Sequence, residues 1–218
     1  MAKTEQPKAD ARQRILNAAC RLFAENGYRK TTTAMICHAA GANNAAVNYH
    51  FGSKANLYRS AWRDAHSRSA SAVSPDGGVA SDQPPEVRLR ARIRAGLNRV
   101  MFSDAIEFRI IRQEVASPTG LLREVIDEAV RPMRLAMQAI LRELLGPKAS
   151  QLDVELCEVC VVGPWMHIVQ SLQARKFEGL APILDMNMLD EIAEHFASFA
   201  LAGIAQTRAR IERRKAGG

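Results

Sequence analysis

Residues Thr31 to Lys54 read TTTAMICHAAGANNAAVNYHFGSK, and a few punctuating residues within them decide the fold. Thr32 precedes Met35, Ile36, Ala39 and Ala40, which recur at the three-and-four spacing of a short helix. A threonine in that place can accept from the open N–H groups of the first helical turn. Gly41 ends this helix, since a residue without a Cβ tolerates left-handed backbone. Asn43 is placed to cap another short helix that runs to His50, and Gly52-Ser53-Lys54 turns the chain once more. Two short helices joined so tightly present the N-terminal end of the second one outward, the geometry that enters a DNA major groove. Asn44, Ala45, Ala46, Asn48 and Tyr49 are its expected exposed positions, and with Asn43 they are counted among the DNA-binding residues. Small side chains let the backbone approach base edges, and an asparagine amide can pair two-fold with adenine. Thr32, Thr33, Tyr49 and Lys54 can hold phosphates, helped by the positive ends of the helices.

Upstream, Ile15, Ala18, Ala19, Leu22 and Phe23 form the apolar stripe of a first helix from Ala9 onward, which Asn26-Gly27 is expected to stop. Downstream, Leu57, Tyr58, Ala61, Trp62 and Ala65 mark a longer fourth helix. Ser74 to Pro85 is rich in proline and glycine and reads as a mobile connection. Beyond it, periodicity predicts helices over Glu86–Phe102, Asp104–Ser117, Thr119–Leu145, Leu152–Gln173 and Asn187–Ile211, with kinks at Pro132 and at Gly163-Pro164. No window shows strand alternation, so the expected class is all-α: an N-terminal three-helix unit containing the helix-turn-helix, followed by a larger helical domain. We place the boundary after Asn56, giving a DNA-binding domain over 1–56 and a second domain over 57–218.

The chain has 218 residues and a net charge of +7. Met1 to Arg68 hold eleven Lys and Arg against four Asp and Glu, while the remaining residues hold nineteen of each, so the whole excess lies in the first third. Such asymmetry points to an anionic partner for the N-terminal part, with nucleic acid ahead of membrane. The longest mostly apolar run, Val159 to Met166, is far short of the roughly 18 residues of a membrane span. Met1 to Ala11 lack the apolar centre of a secretory signal, and the four cysteines have no disulfide-framework spacing. A cytoplasmic protein with reduced thiols and no membrane partner is expected.

Gly27-Tyr28, Thr32, Ile36, Ala40-Gly41-Ala42-Asn43 and the run from Tyr49 to Tyr58 resemble the N-terminal signature of TetR-type regulators. Ala45 to Lys54 is most similar to the CecR-like subgroup, and Ser117-Pro118 to Pro132 resembles that subgroup's ligand domain. The resemblance implies a homodimer on a double-stranded operator, its recognition helices about 34–36 Å apart. It further implies a repressor released by a small-molecule effector, with phosphate anchors at Thr32, Tyr49, His50 and Lys54. Where the family commonly has tyrosine and serine, this chain has Asn48 and Asn43, so operator preference does not transfer.

The same resemblance assigns a ligand pocket and a dimer interface to the later helices. Leu189, Ile192, Phe196, Phe199, Ala200 and Gly203 form an apolar stripe on the last helix, suited either to a partner subunit or to its own core. Polar and aromatic side chains on otherwise apolar faces are the pocket candidates: Trp62, His66, Phe102, Arg109, Gln113, Glu114, Trp165 and His167. Cys157 and Cys160 sit one turn apart and could bind a metal with His167 or act as a redox pair. The pair is lone and lies in an apolar stripe, so no metal and no cofactor are expected. An alternative to a small-molecule response is an adaptor with the same DNA grip controlled by a protein partner. No paired carboxylates, nucleophile elbow or phosphate-cradling loop is present to support an enzyme.

Overall fold

The computed structural model describes residues 6–102, 106–174 and 186–214. The elements are α1 (Gln6–Lys30), α2 (Thr33–Ala40), α3 (Ala45–Phe51), α4 (Lys54–Ala72), α5 (Pro85–Phe102), α6 (Ile106–Ala116), α7 (Arg123–Leu145), α8 (Gln151–Ala174) and α9 (Leu189–Arg214), with a short 3-10 turn over Met186–Met188. No strand occurs among the described residues, as an all-α reading requires. The chain divides into two compact units: Met1–Ser69 with Asp104–Ala129, and Ala70–Ser103 with Val130–Gly218.

In the first unit α1 packs against α2, α3 and α6. Ile15, Ala19 and Phe23 of α1 are fully enclosed with Ile36 of α2, Val47 of α3, Leu57, Tyr58, Ala61 and Trp62 of α4, and Ile110 of α6. Each large side chain so enclosed contributes about 1.5–3 kcal/mol, which is why two helices as short as α2 and α3 hold their shape. The expected stop at Gly27 is a kink instead. Gly27 takes φ 73°, ψ 173°, and one more helical turn follows to Lys30. Buried Thr31 donates its hydroxyl to the Gly27 carbonyl at 2.8 Å, and Gln113 of α6 donates Nε2 to the Glu25 carbonyl at 3.0 Å. The carbonyls freed by the kink therefore have partners, which keeps the break stable.

In the second unit α5 packs against α8 and α9, and α8 against α9. Leu89, Ile93 and Leu97 of α5 meet this core along with Leu141 of α7, Val154 of α8 and Ala197 of α9. Buried Glu158 of α8 accepts from Arg134 Nε at 2.9 Å and from Gln138 Nε2 at 2.7 Å, so the carboxylate is paired on both oxygens. Helices α7 and α8 run through Pro132 and Pro164 as single helices. The Ser74–Pro85 connection carries local hydrogen bonds at its start. Ser74 Oγ and the Gly78 N–H both donate to Asp76 Oδ1, at 2.6 and 2.8 Å, and a Cβ on Gly77 would lie 2.7 Å from the Ala91 carbonyl of α5. The turn is seated on α5.

The apolar stripe expected on the last helix divides between the two settings the sequence leaves open. The inward face of α9 runs through Ile192, Ala193, Ala197, Ile204 and Ile211, while Phe199 is 78% exposed. Alanines and isoleucines at helical period compete for the same core, and the bulkier phenylalanine sits outside it. The helix predicted over Asp104–Ser117 begins at Ile106, its first two residues lying outside the described ones, and the one predicted from Thr119 begins at Arg123.

Candidate nucleic-acid interface

Thr32 is extended, φ −102° and ψ 157°, and its Oγ1 accepts from the Met35 N–H at 3.1 Å. Gly41 is left-handed, φ 59° and ψ 41°, and its N–H and that of Ala42 return to the His38 and Cys37 carbonyls. Both ends of α2 are thus closed by the two residues the sequence singles out. At α3 the capping is shifted by one. Asn44 stands before the helix with helical backbone and makes no side-chain cap, while Asn43 Oδ1 accepts from the Ala45 N–H at 2.9 Å. Asn43 is therefore occupied in building the turn, which leaves Asn44 free to point outward.

The exposed face of α3 consists of Asn44, Ala45, Asn48 and Tyr49, the last 70% exposed; Ala46 and His50 are half-buried, and Val47 and Phe51 fill the core. Tyr49 meets the His50 ring edge-on at 4.9 Å. Thr33 is half-buried beside exposed Thr32 at the start of α2. After Gly52, φ 74°, Ser53 Oγ accepts from the Asn56 N–H at 3.1 Å and so caps α4. Lys54 follows in the first turn of α4. Its Nζ lies 4.2 Å from the centroid of Tyr28, and burial lowers its pKa from the ordinary lysine value. A ring face attracts an ammonium, so the tyrosine holds the lysine head in one place.

Tyr28 in turn packs on Tyr58 at 5.1 Å, and Tyr58 meets Phe23 edge-on at 4.7 Å. The Tyr58 hydroxyl donates to Glu114 Oε2 at 3.1 Å; burial, with the Glu114 carboxylate beside it, pushes the phenol pKa up. Glu114 Oε1 also accepts from the N–H groups of Thr119 and Gly120, at 2.8 and 2.9 Å. Arg59 donates to the Leu121 carbonyl at 3.1 Å, and Arg29 to that of Pro118 at 3.3 Å. The sequence gives Tyr28 only as part of a signature, not as the seat of Lys54, and leaves out Arg12, whose guanidinium lies 5.0 Å from the Phe51 ring at the end of α3. Residues so far apart in the chain leave no local pattern to find them by.

The eight pocket candidates fall in both units. Trp62 is fully buried, stacked on His66 at 5.0 Å, and its indole Nε1 has no hydrogen-bond partner among the described residues. Gln113 and Glu114 are engaged with α1, α4 and the α6–α7 connection as described, and Arg109 is half-buried. In the second unit Trp165 is half-buried, its Nε1 enclosed and without a partner among the described residues, its ring seated so close to α5 that a Cβ on Gly96 would collide with it. His167 is exposed, and the Phe102 side chain lies outside the described residues. Cys157 is half-buried and Cys160 exposed; burial first, then Cys160, raises the Cys157 pKa, which reduces its thiolate fraction. Among the described residues no cluster of three or more His, Cys, Asp or Glu could hold a metal ion, and no helix is long and apolar enough to cross a membrane.

Two family models match this chain. Residues 15–61 match the bacterial regulatory proteins of the TetR family, and residues 85–204 match the C-terminal domain of the HTH-type transcriptional dual regulator CecR. The HTH-type transcriptional repressor AcnR of Corynebacterium efficiens is 34% identical over 190 residues, covering 84% of this chain and 93% of that protein. Among solved structures, a TetR-like transcriptional regulator from Rhodococcus sp. RHA1 superposes with TM-score 0.65 at 19% identity, over 88% of this chain and 96% of that one. The fatty acid degradation regulator FadR from Bacillus halodurans gives TM-score 0.63 at 16% identity, over 86% and 94%. At such identities the structural likeness speaks for the fold, which is the fold that the capped α2–α3 pair and the helical remainder build. The extent of the CecR-type match and of the AcnR alignment carries the further step: this chain belongs to the TetR family of transcriptional regulators, which are not enzymes.

Proposed function

We propose that the chain is a homodimeric, sequence-specific repressor that leaves its operator when a small molecule binds. The observation that carries the DNA-binding part is the exposed α3 face, Asn44, Ala45, Asn48 and Tyr49, with Thr32 and Lys54 fixed beside it at the starts of α2 and α4. Thr32, Thr33, Tyr49, His50 and Lys54 take the backbone phosphates, and the amides face the bases. The domain assignment proposed is residues 1–56 for DNA and 57–218 for effector and partner subunit.

Dimerisation is supported by Leu152, Leu156 and Val159 of α8, spaced to form one stripe and 62%, 55% and 68% exposed, together with Phe199 of α9. Apolar stripes of this kind on paired helices are what two-fold helical interfaces cover. Effector binding is supported by Trp165, whose enclosed indole N–H lacks an acceptor among the described residues. An unsatisfied buried donor costs about 1–3 kcal/mol, a cost that an arriving acceptor removes. Of the eight pocket candidates, Trp165 is the one we assign first to the effector.

The test is to isolate operator fragments by binding from the host genome and measure their affinity with and without a panel of small acids, amines and aromatic compounds. A released complex identifies the effector class. Trp165→Ala is expected to shift the effector concentration needed for release while leaving effector-free affinity nearly intact. Loss of DNA binding without effector would make Trp165 structural. No release by any compound, with release by a protein fraction of a host lysate, would favour control by a protein partner.

A further inference from the structure

The two free asparagine amides on α3 say which bases are read. Asn44 and Asn48 are both exposed, and no hydrogen bond uses either side chain among the described residues. Asn48 contributes only its main-chain carbonyl, which accepts from the Gly52 N–H at 3.0 Å. Asn44 has φ −57° and ψ −30°, so it continues the helical path and shares one face of α3 with Asn48, a turn later. Four residues of helix rise about 6 Å, close to two base-pair steps of roughly 3.4 Å each. Exposed Ala45 lies between them, small enough to let the backbone approach and apolar enough to meet a thymine methyl.

The residue types narrow the choice further. From Ala42 to Phe51 there is no lysine or arginine, so the commonest reader of guanine, a cation on O6 and N7, is absent from this helix. An asparagine amide offers one acceptor and one donor side by side. Adenine presents the complement in the major groove, its N6 amino group donating and N7 accepting. Guanine presents two acceptors there, which would set the amide oxygen against O6 and leave it unpaired. Resting on the operator-binding reading above, we propose that Asn44 and Asn48 each read an adenine–thymine pair, at two positions about two steps apart in each operator half-site.

The experiment uses the full chain and pools of randomised duplex DNA. Repeated selection is expected to enrich half-sites with A·T pairs two steps apart. The enriched site is then synthesised with 7-deazaadenine at each of those positions in turn, which preserves Watson–Crick pairing and removes only the N7 acceptor. The wild-type protein is expected to lose affinity at each substitution. Asn48→Ala should lower affinity for the enriched site about ten- to a hundred-fold, a larger loss than for unrelated DNA, and abolish the 7-deazaadenine penalty at one position only. Asn44→Ala should do the same at the other. Enrichment of G·C pairs at those positions, or a penalty that persists in the alanine variants, would overturn this assignment and leave the operator reading standing. Failure to enrich any site would overturn the operator reading and this assignment with it.

Discussion

Helices α3 and α8 both turn a face outward, and the two faces could hardly differ more. On α3 the outward residues are amides, an alanine and a tyrosine; on α8 they are Leu152, Leu156 and Val159. The Asn44 and Asn48 amides of the polar face have hydrogen-bonding groups to spend, and since water satisfies them at no cost they gain only where a ligand matches their geometry. An apolar face gains wherever it is covered. In the proposed function the first discriminates and the second associates. A DNA reader that recognises a palindrome needs both, because discrimination by a single seven-residue helix is too weak to select one site alone.

The sharpest way to break this contrast is to put a charge on the associating face. Leu156→Glu is expected to leave the chain folded but monomeric in sedimentation, with operator affinity reduced about 10²- to 10⁴-fold because the second half-site is no longer tethered. A dimer of undiminished affinity would show that α8 is not the covered face. Next in size is Gly96→Ala. Helix propensity alone favours alanine by about 0.5–1 kcal/mol, but the new methyl would meet the Trp165 ring, and overpacking costs about 1–3 kcal/mol. We expect the contact to win and the melting temperature to fall, with recovery when Trp165→Leu is added; a rise in the single variant would mean the indole moves aside freely.

On the discriminating side, Lys54→Ala should weaken binding to every duplex about equally, near ten-fold, and flatten the log–log salt slope by about one per lost phosphate contact. An unchanged slope would remove Lys54 from the backbone. The smallest effect expected is that of Thr32→Ala, about 1 kcal/mol of stability by thermal or denaturant unfolding, since it deletes the one side-chain cap of α2. A neutral result would mean that water replaces the cap without loss.

How far each face could be read from sequence follows the range of the interactions that make it. Thr32 and Gly41 act on residues within four positions of themselves, so their roles are visible as spacing, whereas Ser53 was legible only as part of a turn and not as the cap of α4. Asn43 was placed correctly at the turn but one residue off as the formal cap, because an asparagine side chain reaches an N–H two positions on as readily as three. The seat of Lys54 on Tyr28, and the link from Tyr58 to Glu114, join residues 26 and 56 positions apart and leave no periodic trace. On α9 the period was legible and the facing direction was left open, since Ile192 and Phe199 are equally hydrophobic and only packing decides that the first turns inward and the second outward.

The chain contains only two tryptophans, Trp62 in the first unit and Trp165 in the second, and each keeps its indole nitrogen out of solvent. Each unit therefore carries its own built-in light source. An enclosed indole emits at shorter wavelength than one in water, and a hydrogen-bond acceptor arriving at Nε1 alters that emission without any added label. With Trp62→Phe the protein reports on the second unit alone, and with Trp165→Phe on the first. The order in which two such single-emitter proteins change colour after mixing with an effector would time the arrival of a signal in one unit against its departure from the other.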